Sequence, residues 1–176
     1  MKNTVIKFGI FSSLLMVVGM VISLRFSDYF GFDNGVWVGY TTMVISFLMV
    51  FFGVRSYRDK MNGGTINFGK AFKIGGLIAL ISCFVYVVTW LIIYYNFMPD
   101  FADKYAAFTI EKMKDAHTSQ AEIDAATQEM IRFKELYKNP FYNAAMTFLE
   151  PLPVALLMSL ISAAILKRKK VNPEVA

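Results

Sequence analysis

Apolar residues in this chain run in long unbroken blocks and do not alternate with polar ones. Phe8–Leu24, Gly35–Val54 and Ile74–Met98 carry no charge, and Phe141–Leu166 carries one, Glu150. A helix needs about 20 apolar residues to cross about 30 Å of hydrocarbon. Continuous runs of this kind suit helices, whereas membrane barrels show alternating strands. The pattern therefore predicts an all-α membrane protein with four transmembrane helices, at about 6–24, 35–54, 71–98 and 141–166, forming a single membrane domain over 1–176.

The polar stretch 99–139 keeps a helical rhythm. Pro99 can open a helix, with Asp100 and Asp103 beside its positive end. Tyr105, Ala106, Ile110 and Met113 then share one face. Ser119 and Glu122 have the spacing of a capping box. Beyond them Ile123, Ala126, Met130, Phe133 and Tyr137 form a narrow apolar seam, opposed by Asp124, Gln128, Arg132 and Glu135. The expected insert is an extracytoplasmic helical hairpin between the third and fourth spans, closed by Asn139–Pro140.

Charge gives the orientation. The stretch Arg55–Lys73 carries five of the eighteen basic residues, Arg55, Arg58, Lys60, Lys70 and Lys73, against one acid, Asp59. Placing it in the cytoplasm with both termini gathers Lys2, Lys7 and the cluster Lys167, Arg168, Lys169 and Lys170 on the same side, with only Asp59 and Glu174 opposing them. The other side then holds seven basic residues and ten acids besides Glu150, which satisfies the positive-inside rule. These nine loop and tail cations read as lipid-headgroup anchors. The pI near 9.3 is accounted for without nucleic acid. Trp37, Tyr40, Trp90, Tyr94 and Tyr95 fall where an outer aromatic belt belongs. The expected location is the inner (plasma) membrane, multi-pass, with cytoplasmic N and C termini.

Composition sharpens this picture at a few points. The chain is 56% hydrophobic, above the roughly 45–50% usual for soluble domains. The first apolar run exceeds the usual 7–15 residues of a signal sequence and ends in SLRFSDYF without a small-x-small site, so it reads as a retained anchor. The single cysteine, Cys83, excludes an intrachain disulfide and a cysteine metal cluster. Within the basic stretch, Gly64-x-x-x-x-Gly69-Lys70 imitates a phosphate loop. Its last position is Ala71 where Ser or Thr would meet magnesium, and it precedes a membrane helix, so it reads as a tight turn opened by Asn62–Gly63–Gly64.

Small residues recur at spacing four: Gly19 and Ser23, then Gly75, Ala79 and Cys83, then Ala155, Ser159 and Ala163. In lipid such stripes let helices approach closely. Pro151 and Pro153 remove two backbone donors and should break or bend the fourth span. Beside them stands Glu150, an intramembrane acid about one turn below the outer surface, either an ion or proton site or a structural group. His117, the only histidine, has no partner for a zinc site and reads as a loop residue.

The start MKNTVIKFGI, the loop YRDKMNGGTINFGKAFKIG, the polar insert and the ending LPVALLMSLISAAILKRKK resemble the domain of unknown function 4199 family, small four-helix membrane proteins seen mainly in Bacteroidota. The resemblance covers essentially the whole chain. It implies topology and a cell-envelope location, and brings no catalytic residues, metal or cofactor. From the residues, the function reads as that of a non-enzymatic envelope subunit or scaffold acting by helix association, with the bilayer and a second copy or another membrane protein as partners. The alternative is a small transporter or channel component using Glu150 and the proline-broken fourth helix.

Overall fold

The computed structural model describes residues 1–25 and 27–168, with side chains described outside 26–33. Seven helices follow in order: α1 (Lys2–Arg25), α2 (Ser27–Met61), α3 (Phe68–Phe97), α4 (Phe101–Asp115), α5 (Gln120–Tyr137), α6 (Pro140–Leu149) and α7 (Leu152–Leu166). The protein is an all-α membrane protein: Lys2–Arg25, Asn34–Met61, Phe68–Phe97 and Pro140–Leu166 are each long and apolar enough to cross a bilayer. Among the described residues the only strand-like feature is an isolated antiparallel bridge between Ile66 and Arg168.

The helices outrun the apolar blocks. Nothing in Arg55–Lys60 stops a helix, so α2 continues to Met61 and ends where Gly63 and Gly64 take φ of +63° and +77°, a region glycine enters without a Cβ penalty. Asn67 then caps α3, its Oδ1 accepting from the Lys70 amide at 2.8 Å. The basic loop is thus a turn of 62–67 between two helix ends. The stretch 25–34, read from the sequence as a connection, is mostly the start of α2. The side chains of Asp28 and Asp33 lie outside the described residues.

α3 is the centre of the bundle and packs on α1, α2, α6 and α7. Its small stripe meets that of α7: a Cβ on Gly75 would stand 3.5 Å from Ser159 Cα, while Ala79, Cys83, Ala155, Ser159 and Ala163 are all buried. Gly19 lets α1 lie against Thr42 of α2, and Gly53 receives Ile78 and Phe8. Lipid tails are as apolar as leucine, so close backbone contact of this kind, not burial from water, holds spanning helices together. One polar contact joins α1 to α2 deep inside, the Ser12 hydroxyl donating to the Ser46 carbonyl at 2.9 Å. The outward faces are apolar, with Phe84 67% and Ile165 64% exposed, as a lipid-facing belt requires.

At one end of the bundle α4 and α5 pack on each other and run antiparallel, since Asp103 near the start of α4 pairs with Lys134 near the end of α5. α4 ends in a Schellman turn: His117 takes φ +53°, its amide donates to Lys114 O at 3.0 Å, and the Thr118 amide donates to Met113 O at 3.1 Å. The Ser119 and Glu122 capping box then opens α5. Of the seam residues, Ile123 and Tyr137 are buried and Ala126, Met130 and Phe133 half-buried.

Candidate functional site

α6 explains where a site can form. Asn139 caps it, accepting from the Phe141 amide at 2.9 Å, and Pro140 takes a first-turn position that needs no donor. The helix stops at Leu149, because the nitrogens of Pro151 and Pro153 can donate no hydrogen bond to it; Pro151 is buried and caps α7, while Pro153 is exposed. Asn143 and Thr147 of α6 and its C-cap Glu150 stand at spacings of four and three, hence on one face. Asn143 is wholly buried; its amide nitrogen reaches Tyr137 O at 3.4 Å and its Oδ1 accepts from the Thr147 hydroxyl at 3.2 Å. Glu150 Oε2 accepts the Tyr86 hydroxyl of α3 at 3.0 Å.

Above this polar face α3 is tied to the α4–α5 pair. The Trp90 indole donates to the Tyr137 hydroxyl at 2.9 Å, and Trp90 stands edge-on to Phe101 with centroids 4.8 Å apart. Tyr94 meets Tyr137 edge-on at 5.3 Å, and the Tyr95 hydroxyl donates to Lys138 O at 2.9 Å. Trp90, Tyr94, Ala102 and Tyr137 form a buried cluster separate from the main core. Burial pushes the Tyr137 phenol above its ordinary value, so it stays neutral while its oxygen accepts the hydrogen bond from the indole.

Between these groups and the ends of α1 and α2 lies a cavity of about 560 Å³. Its wall includes Met20 and Ser23 of α1, Gly39 and Thr42 of α2, Tyr86 and Trp90 of α3, and Thr147 and Glu150 at the end of the fourth span, with α4 and α5 over it. A Cβ on Gly35 or Gly39 would meet nothing within 4 Å, so these glycines widen the space instead of closing a helix contact. That volume falls in the roughly 300–1,000 Å³ range of small-molecule sites. Among the described residues two charged groups line it: Glu150, and Lys104, which is held by Asp100 at 2.8 Å.

The remaining sequence-predicted residues fall elsewhere. Gly75, Ala79, Ala155, Ser159 and Ala163 sit in the α3–α7 contact, and Gly19 touches both Thr42 and the cavity. Ser23 lines the cavity and is half-buried. Arg55, Lys60, Lys73, Lys167 and Arg168 are exposed, while Lys70 bonds Asn62 Oδ1 at 2.8 Å and lies over the Tyr57 ring. Arg58 departs from the anchor role: it is 7% exposed, bonded to Asp59 and 3.4 Å from the Leu166 carbonyl at the end of α7, because it leaves α2 on the face that packs against α7. Lys169 and Lys170 lie outside the described residues. Asn143, Thr147 and the Trp90–Tyr137 bond were not anticipated; the spacing of Asn143, Thr147 and Glu150 was the one signal that could have found the first two. No group of three His, Cys, Asp or Glu side chains suited to a metal occurs among the described residues.

The family model described as protein of unknown function (DUF4199) matches residues 6–168. No curated protein and no solved structure matches the chain.

Proposed function

We propose, from the premise that this chain belongs to the DUF4199 family, that it is a non-enzymatic cell-envelope protein which binds a small, largely apolar molecule at one end of its helix bundle. The observation that carries this reading is the cavity of about 560 Å³ with a mostly apolar and aromatic wall and a polar edge at the end of α6. The small-residue stripes, which otherwise speak for association with other helices, are taken up inside the chain by the α3–α7 and α1–α2 contacts. The membrane is the bacterial inner (plasma) membrane, with the N-terminus, the 62–67 turn and the C-terminus cytoplasmic and the α4–α5 pair outside. The positive-inside count supports that orientation. The cavity then opens toward the extracytoplasmic face, reached by a ligand from the outer interface.

A second reading, a subunit or scaffold that associates through α4–α5, is supported by one feature. Ile131 is 51% exposed beside Ile110 and Met130 in a groove between the two helices. Recovery of a fixed partner in mild detergent, lost on Ile131→Asp, would favour it.

The cavity reading is tested in nanodiscs with bromophenyl probes, which quench a nearby indole. Trp37 is 75% exposed, so Trp37→Phe leaves Trp90 as the only tryptophan, on the cavity wall. Saturable quenching that disappears in Gly39→Phe, which fills the open space beside Gly39, supports the reading. Quenching that rises only linearly with probe, as partition into lipid does, refutes it.

A further inference from the structure

We infer that the cavity recognises an ammonium group, carried by a molecule with an apolar body, through the Glu150 carboxylate and the aromatic rings around it. The inference rests on the cavity reading and adds the chemistry of the ligand. Three observations converge on it.

The first is the charge balance of the wall. Of the two charged side chains among its described residues, Lys104 is already paired with Asp100 at 2.8 Å. Glu150 has no Lys or Arg within ion-pair distance among the described residues; its bonded partner is the Tyr86 hydroxyl, which satisfies part of one oxygen. A carboxylate accepts at two oxygens through about four lone pairs, so it retains most of its capacity. An acid in an apolar segment is unfavourable unless something compensates it. The chain supplies one phenol and leaves the remaining positions facing a space large enough for a ligand.

The second is the character of the other wall residues. Tyr86, Trp90, Phe101 and Tyr137 bring aromatic rings to the same cavity. Ring faces carry negative electrostatic potential and attract cations within about 6 Å of the centroid, most strongly when water is excluded. An aromatic wall with one anion selects a cation and disfavours an anion. A metal ion would require several oxygen ligands converging on one point, and the rings cannot supply them. An organic ammonium needs only a carboxylate and ring faces.

The third is how Glu150 comes to be there. It follows the last residue of α6, and Pro151 and Pro153 stop the helix from continuing in register. The carboxylate is therefore carried at a break in a spanning helix, with Asn143 and Thr147 extending the polar edge toward α5. Such breaks are tolerated at membrane depth where they line a cavity.

Ammonium groups reach this position from two sources, a free lipophilic amine or the headgroup of phosphatidylethanolamine. The experiment uses the full chain with Trp37→Phe in nanodiscs and two probes of the same shape: 4-bromobenzyltrimethylammonium and its uncharged carbon isostere, 4-bromoneopentylbenzene. In phosphatidylglycerol nanodiscs the cation should bind about tenfold or more tighter than the isostere, as a combined cation–π and carboxylate site predicts. Glu150→Gln should remove that advantage while changing the isostere's affinity by less than about twofold. The isostere thereby also reports that the variant's cavity is intact. Taking the ratio of wild type to Glu150→Gln cancels attraction of the cation to the anionic bilayer surface. If that ratio shrinks in phosphatidylethanolamine nanodiscs, a lipid headgroup is competing for the site and is the source; an unchanged ratio identifies free amines. Saturable binding of both probes with no preference for the cation, or a preference that survives Glu150→Gln, overturns the ammonium inference and leaves the cavity reading standing. Saturable binding of neither overturns both.

Discussion

Gly19→Ala adds one methyl group, yet it should destabilise the bundle more than most larger changes. A Cβ at Gly19 would overlap Thr42 Cγ2 outright and stand 2.9 Å from both Thr42 Cβ and Oγ1. Ordinary carbon–carbon contact is about 3.5–4.0 Å. Rotating Thr42 about χ1 can move Cγ2 away, but Cβ is fixed to the backbone of α2. At least about 0.6 Å must therefore be found by moving α1 from α2. Threonine in a helix also has few alternative rotamers. Overpacking of this kind costs about 1–3 kcal/mol. Thr42→Gly removes Cβ together with Cγ2 and Oγ1, so the double variant should recover about 1–2 kcal/mol, appearing as coupling in a double-mutant cycle. Gly76→Ala is the control, since a Cβ there meets nothing within 4 Å and should be neutral within about 1 kcal/mol. Reversible unfolding in mixed micelles, followed by Trp90 fluorescence, measures each difference. Gly19→Ala matching wild type, or no rescue by Thr42→Gly, would show that α1 and α2 do not meet at this crossing.

Three further outcomes are expected. Single cysteines at Asn62 and Ser119 in a Cys83→Ser background should label from opposite sides of the membrane, Asn62 protected in intact cells and Ser119 reactive; labelling of both from one side would remove the orientation. Phe133→Asp, which places a charge beside Tyr105 and Tyr137, and Trp90→Phe, which removes the bond to Tyr137 and about 1 kcal/mol with it, should speed limited proteolysis of α4–α5, whereas exposed Gln128→Ala should not. Acid should loosen the same pair. Hydrogen bonds from Ser119 hold the Glu122 carboxyl below its ordinary value, as the Lys104 ammonium does for Asp100. A lowered folded-state value contributes stability that is present above the unfolded value and is lost as pH falls through the folded one. Protection should thus hold at neutral pH and decline only below the usual carboxylate range, and a decline beginning near neutrality would contradict this origin.

The spans were legible because the bilayer imposes a length and an apolar composition that few other structures share. The helix ends were less so. Asn62–Gly63–Gly64 announced a turn, and it became one, but the charged residues before it carry no breaker, so charge was mistaken for loop. The small stripes pointed to helix contact without naming the partner: spacing four says which face is smooth and nothing about whether another helix of the same chain covers it. Arg58 shows the same limit. Its residue type suggested the headgroups, and only the meeting of α2 with the end of α7 buries it.

The cavity was the least legible feature, and the reason is instructive. Glu150 was conspicuous as a lone acid, but a lone acid one turn below the interface can reach water by itself. What makes it a wall residue is the neighbouring Tyr86, sixty-four positions away, and the α4–α5 pair drawn over it by Trp90 and Tyr137. The glycines that open the space, Gly35 and Gly39, look in sequence like Gly75 and Gly19, which close one. The same small residue thus has opposite consequences, depending on whether a neighbouring helix lies opposite it. α7 follows α3 closely enough to meet Gly75, whereas nothing beyond the adjoining residues and backbone of α2 itself lies within 4 Å of where a Cβ on Gly39 would be. The cavity beside Gly39 is covered by α4 and α5, and the Trp90–Tyr137 bond ties that cover to α3. Loss of that bond should therefore enlarge access to Glu150 before it unfolds any span.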